Sequence, residues 1–147
     1  MSETSDDRTR NLQSLGDRVA GTSHASLSEQ TIDRVVAFVS DVDERLNRED
    51  VEGAAGDLLA FWAAYVGRKL DAARGDWEST VNATIERFEL AFDEELIGVD
   101  LYEALETLAI VDDMPPEETD DERLELWTRR VRTLTKEFAD HLADHRD

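Results

Sequence analysis

Apolar side chains recur along this chain at the three-and-four spacing of a helix, and no segment shows the strict alternation of a half-buried strand. Ile32, Val35, Val36, Val39, Val42 and Leu46 form one stripe, which predicts an amphipathic helix opening near Ser26 or Ser28. Ser26 with Glu29 reads as a capping box, whereas Ser28 as the cap makes Leu27 and Ile32 a hydrophobic staple. Residues 47–50 read as a short turn. A second helix is expected over 51–73, and its middle, LLAFWAAYV at 58–66, is apolar nearly all round. A helix without a polar face is buried on several sides, so this segment is the expected centre of the fold. Phe38 lies off the first stripe, which makes it a candidate for exposure.

Val81, Ile85, Phe88, Phe92 and Leu96 mark a third helix over 77–97, closed by Gly98. Asp100 with Glu103 predicts the cap of a shorter fourth helix, with Leu101, Leu105 and Leu108 inward. Pro115-Pro116 cannot continue a helix. Thr119 with Glu122 then opens a last helix to about residue 145, with Leu124, Trp127, Val131, Leu134, Phe138 and Leu142 inward. In front of all this, residues 1–26 are polar. Leu12, Leu15 and Val19 keep helical spacing there, but Gly16 and Gly21 weaken the segment. The expected organisation is a mobile polar arm over 1–26, with a marginal helix, and a single helical domain over 27–147. Short turns between long helices favour antiparallel neighbours. The expected fold is therefore all-α, an antiparallel bundle of four to five helices with a flexible N-terminal arm.

Charge changes the picture of where such a chain works. It has 36 acidic residues against 16 basic ones, a net charge of −20 over 147 residues, and no cysteine. Only Lys69 and Lys136 are lysines; the other basic residues are arginines. In dilute buffer this charge repels itself within the compact state, whereas at about 1 M salt the screening length falls to about 3 Å. Guanidinium is also more weakly hydrated than ammonium and pairs bidentately with carboxylates. The profile resembles that of cytoplasmic proteins of salt-in halophiles, such as halophilic archaea, and that resemblance implies a cytoplasmic location. No run approaches the roughly 20 apolar residues of a membrane span, and the N-terminus lacks the apolar core of a signal peptide.

Candidate chemistry is sparse. His141 and His145 are four residues apart, with Glu137 one turn earlier, and could share an ion. HLADH nevertheless lacks the glutamate of the zincin signature HExxH, and two histidines in a last turn also suit the negative end of the helix dipole. No metal or cofactor is expected. There is no GxSxG, GxGxxG or P-loop, and the carboxylates are too many for any pair to stand out as a catalytic acid and base. The acidic residues around the prolines, Asp112, Asp113, Glu117, Glu118, Asp120, Asp121 and Glu122, read as a solvated linker because their spacing does not match a calcium loop.

Two features point to contact with other molecules. Phe61, Trp62, Tyr65, Trp77 and Trp127 are many large aromatics for a small bundle, and such residues fill either cores or the centres of interfaces. Arg129, Arg132 and Lys136 form a basic stripe on the last helix, with Arg130 adjacent. The overall charge argues against phosphate binding, and intramolecular pairing, for example of Glu125 with Arg129, is the better account of the stripe. The expected function is that of a non-catalytic helical interaction module that self-associates or docks on a protein partner. Phe61, Trp62 and Tyr65 would supply apolar contact, and Arg129, Arg132 and Lys136 polar contact. Two other classes remain open. In composition, residues 58–92 loosely resemble phasins, which implies a coat protein of storage granules. A regulator contacting DNA through the last helix is the other.

Overall fold

A computed structural model of the protein describes residues 2–22, 26–73, 75, 77, 84–113 and 121–144, with side chains from Arg10 onward. Among them there are six helices and no strand. They are α1 (Ser2–Gly21), α2 (Glu29–Asn47), α3 (Val51–Ala73), α4 (Thr84–Asp93), α5 (Val99–Asp112) and α6 (Asp121–Asp144). The fold is all-helical, as the spacing requires, but the count exceeds the four to five expected. The additional helix is α1, in the stretch read as a polar arm with a marginal helix. It is 20 residues long, and its Leu12, Leu15 and Val19 are buried.

The reason lies at Gly16. A Cβ built there would sit 2.4 Å from the backbone carbonyl oxygen of Phe61. The residue that weakens α1 as an isolated helix is thus the one that lets its backbone press against α3. Packing outweighs the propensity cost of about 1 kcal/mol.

The turn from α2 to α3 is fixed by side chains. Ser28, not Ser26, caps α2: its hydroxyl accepts from the Thr31 N–H at 3.2 Å. Past the end of α2, Glu49 takes a left-handed φ of 62°. Asp50 Oδ1 then accepts from the Gly53 N–H at 3.1 Å, and Asp50 Oδ2 from Arg45 Nη1 at 2.6 Å. Arg45 Nε also lies 3.1 Å from the largely buried Asp57 carboxylate, close enough for charge pairing though not aligned as a hydrogen bond.

α3 touches each of the other five helices, which is the central position its all-round apolarity implies. Phe61 and Trp62 are fully buried, and their rings meet edge-on at 5.1 Å. Phe38 of α2 packs 5.1 Å from Phe61, and Phe138 of α6 lies 5.2 Å from Trp62. Phe38 is therefore core rather than exposed, and Val36, counted in the α2 stripe, points to solvent. Gly98, without a side-chain bond, occupies the cap of α5, and Asp100 falls in its first turn instead. The start of the expected third helix, with Val81, lies outside the described residues, as do Pro115, Pro116 and the Thr119 cap.

Candidate interaction surface

The inner face of α6 mixes leucines and valine with threonines. Leu124, Val131 and Leu142 are buried as expected, while Trp127, Leu134 and Phe138 are half-buried. The helix is rotated so that Thr128, Thr135 and Ala139 also face inward. Thr128 and Thr135 satisfy their hydroxyls locally, donating to the carbonyls of Leu124 at 2.6 Å and Val131 at 2.7 Å. A buried threonine can back-bond to the preceding turn in this way without leaving an unpaired hydroxyl.

That rotation sets the outer face. Arg129, Arg130 and Lys136 are exposed and Arg132 is half-buried. Three of these cations are held by carboxylates. Arg129 Nε donates to Glu125 at 3.0 Å and Lys136 Nζ to Asp140 at 2.9 Å, each one turn away on α6. Arg132 reaches across to α2 and grips Asp43 with a fork, Nε to Oδ1 at 2.6 Å and Nη2 to Oδ2 at 2.7 Å. This hydrogen bonding raises the Arg132 pKa further above its usual value. The stripe is therefore close to locally neutral, as the pairing of Glu125 with Arg129 in the sequence already suggested.

The aromatic candidates lie elsewhere. Phe61, Trp62 and Tyr65 are all buried within the chain, under α1, α2 and α6 rather than on a free face. Tyr65 is sufficiently enclosed that burial raises its phenol pKa. In this conformation none of the three offers surface to a partner. The apolar residue beside the basic stripe is instead Leu126, which is 63% exposed. Arg129 and Arg130 follow it by three and four residues, so all three share one outward patch of α6. Sequence reasoning passed over Leu126 because it falls off the inward stripe. Its signal was that same misplacement, a leucine on a face otherwise made of Arg, Glu, Thr and Lys. Val36, Val99 and Ile110 are the other large apolar side chains with substantial exposure among the described residues.

At the α2–α3 turn, Glu49, Asp50, Glu52, Asp121 and Glu125 line a cleft of about 420 Å³. Asp112 belongs to the same electrostatic neighbourhood. Partial burial lifts its carboxyl pKa, with further contributions from the charges of Glu52 and Asp113. Among the described residues no group of three or more His, Asp or Glu side chains is arranged to hold a metal. His141 is exposed on α6, while His24, His145 and the acidic residues Glu117, Glu118 and Asp120 lie outside the described residues. Among those residues, too, no helix is long and apolar enough to cross a membrane. The chain matches no known protein family, no curated protein and no solved structure.

Proposed function

We propose that this chain is a non-catalytic helical interaction module of a salt-in halophile's cytoplasm, an antiparallel bundle that self-associates or docks on another protein through the outer face of α6. The observation that carries this reading is the exposure of Leu126 beside Arg129 and Arg130. Fully covering a leucine contributes about 1.5–3 kcal/mol, and arginine is among the residues enriched at interfaces. Among the described residues, Arg129 and Lys136 are paired only within α6. A partner's carboxylate can replace Glu125 or Asp140 without disturbing the core. Arg132 acts differently: its grip on Asp43 fixes α6 against α2 and so holds the patch in place. Phe61, Trp62 and Tyr65 stiffen the interior beneath it.

Light scattering after size exclusion, in about 2 M KCl where surface charges are largely screened, tests this. A discrete oligomer that Leu126→Asp converts to monomer, with helicity retained, supports self-association through α6. An oligomer whose mass is unchanged in Leu126→Asp overturns the assignment of that face. A wild-type chain that stays monomeric at every concentration removes self-association and leaves docking on a different protein.

A further inference from the structure

A second cleft, of about 370 Å³, lies between α1, α3 and α4. Its floor is small, made by Ala63, Ala64 and Gly67, and its walls include Arg68, Trp77 and Arg87. Volumes of this order suit a small molecule. The wall is built around Trp77, a buried ring whose indole N–H donates to Asp71 Oδ1 at 2.5 Å. The guanidinium of Arg87 lies over that ring, 4.9 Å from its centroid.

Arg87 is poorly satisfied for a half-buried cation. Of its five N–H donors, Nη1 makes one long bond, 3.3 Å, to the Ala63 carbonyl. Its Nε–H is withdrawn from solvent and has no acceptor. An unpaired buried donor of this kind marks strain, function, or a missing water or ion. The contrast among the half-buried arginines is informative. Arg45 and Arg132 each reach a carboxylate. In a protein with more than twice as many acids as bases, Arg87 makes no ion pair among the described residues, and neither does Arg68 beside it. Asp71 also lines the cleft, but its Oδ1 is taken by Trp77. Gln13 and Ser14 of α1 add neutral hydrogen-bonding groups to the opposite wall.

We propose that this cleft binds a small molecule through a carboxylate or phosphate group held by Arg87, with Arg68 supplying a second positive charge. Arg87 keeps its stack on Trp77 and turns its open edge outward, exchanging the long bond to Ala63 for a two-point contact with the oxyanion. Such forks are among the strongest side-chain hydrogen bonds. The small floor leaves room for the body of the ligand, and Asp17 on the α1 wall disfavours a ligand carrying a second anion at that end.

The test is a titration of the full chain with butyrate, a monocarboxylate, and, separately, with inorganic phosphate, replacing KCl at constant ionic strength. The readouts are the arginine Nε–H resonances and tryptophan fluorescence. The expected result is one saturable transition that moves a single Nε–H signal, lost in Arg87→Gln and weakened about tenfold in Arg87→Lys, which keeps the charge but not the fork. Response to butyrate alone assigns a carboxylate ligand and response to phosphate alone a phosphate ligand; either supports the site. Arg68→Gln, which leaves the stack on Trp77 intact, is expected to weaken binding several-fold and serves if Arg87→Gln fails to fold. A response that never saturates, or one that survives unchanged in Arg87→Lys and Arg68→Gln, overturns the proposal.

Discussion

Trp62 and Thr135 are joined across α3 and α6 by a buried hydrogen bond, the indole N–H donating to the hydroxyl at 2.9 Å. The hydroxyl sends its own proton to the Val131 carbonyl, so both of its roles are used. Thr135→Val preserves shape but leaves the indole N–H unpaired inside the protein. The expected loss is about 1–3 kcal/mol, whereas Thr135→Ser, which keeps the hydroxyl, loses less. Denaturant unfolding at fixed KCl measures both; equal stability of the Val variant and the wild type would show that the bond contributes nothing net.

Gly16→Ala sets two effects against each other. Alanine favours the helix by about 1 kcal/mol over glycine. The new methyl, however, would meet the backbone carbonyl of Phe61 at 2.4 Å, and backbone cannot swing aside. Overpacking of this kind costs about 1–3 kcal/mol, so the steric effect wins and α1 loosens. Amide exchange is expected to quicken through α1 while α2 to α6 stay protected. Unchanged exchange in α1 would show that the two helices separate without penalty.

Glu49 is a non-glycine residue at φ 62°, a conformation that costs about 1–2 kcal/mol for a residue with a Cβ. It also contributes one of the carboxylates around the acidic cleft. Glu49→Gly relieves both. Unfolding midpoints are expected to rise by the equivalent of about 1 kcal/mol, and more in dilute buffer than in KCl. A gain independent of salt would assign the whole effect to the backbone.

The phenol of Tyr102 is pushed up to about 12, first by its hydrogen bond to Glu106, then by partial burial and by the charges of Glu106, Glu89 and Asp93. Because the folded value lies above the ordinary 10.0, this interaction stabilises the fold at every pH below 10 and is lost as pH rises through 12. Tyr65 is raised as well, so neither of the two tyrosines is expected to ionise at 10 in the folded chain. Ultraviolet titration checks this, and Glu106→Gln should return one tyrosine towards 10. Two tyrosines titrating together near 10 in the folded wild type would contradict it.

Asp112 illustrates the opposite side of charge linkage. Its carboxyl is raised from 3.8, so folding favours its protonated form and its contribution to stability is lost as pH rises through the folded value. Asp112→Asn is therefore expected to raise the melting temperature at neutral pH, with the gain shrinking in KCl and vanishing in acid below 3.8. The residue is exposed at the end of α5, so the gain is small. A gain of the same size at every pH would point to packing instead.

Helical class and the central place of α3 were legible because both depend on local periodicity and on one segment without a polar face. The capping of α2 was legible only as a choice between Ser26 and Ser28, because either serine precedes a suitable first turn. The packing of α1 was not legible. Gly16 reads as a helix breaker until the carbonyl of Phe61 is placed beneath it, and that contact joins residues 45 apart. The surface patch was half legible. Arg129, Arg132 and Lys136 are visible as a stripe, but Asp43 lies 89 residues from Arg132. The inward turn of Thr128 and Thr135, which sends Leu126 outward, follows from tertiary packing that overrides hydrophobicity ranking. Phe61, Trp62 and Tyr65 could not be divided between core and interface without knowing that five neighbours surround α3.

Because the central helix is third in the chain and one of its principal partners is last, synthesis order matters to this molecule. A ribosome releases α1 to α5 while Trp62 still lacks Thr135 and Phe138. Only when residues near 140 clear the exit does the interior acquire its last wall. Until then the side of α3 that α6 covers stays open, and transiently exposed apolar surface of this kind is prone to aggregate.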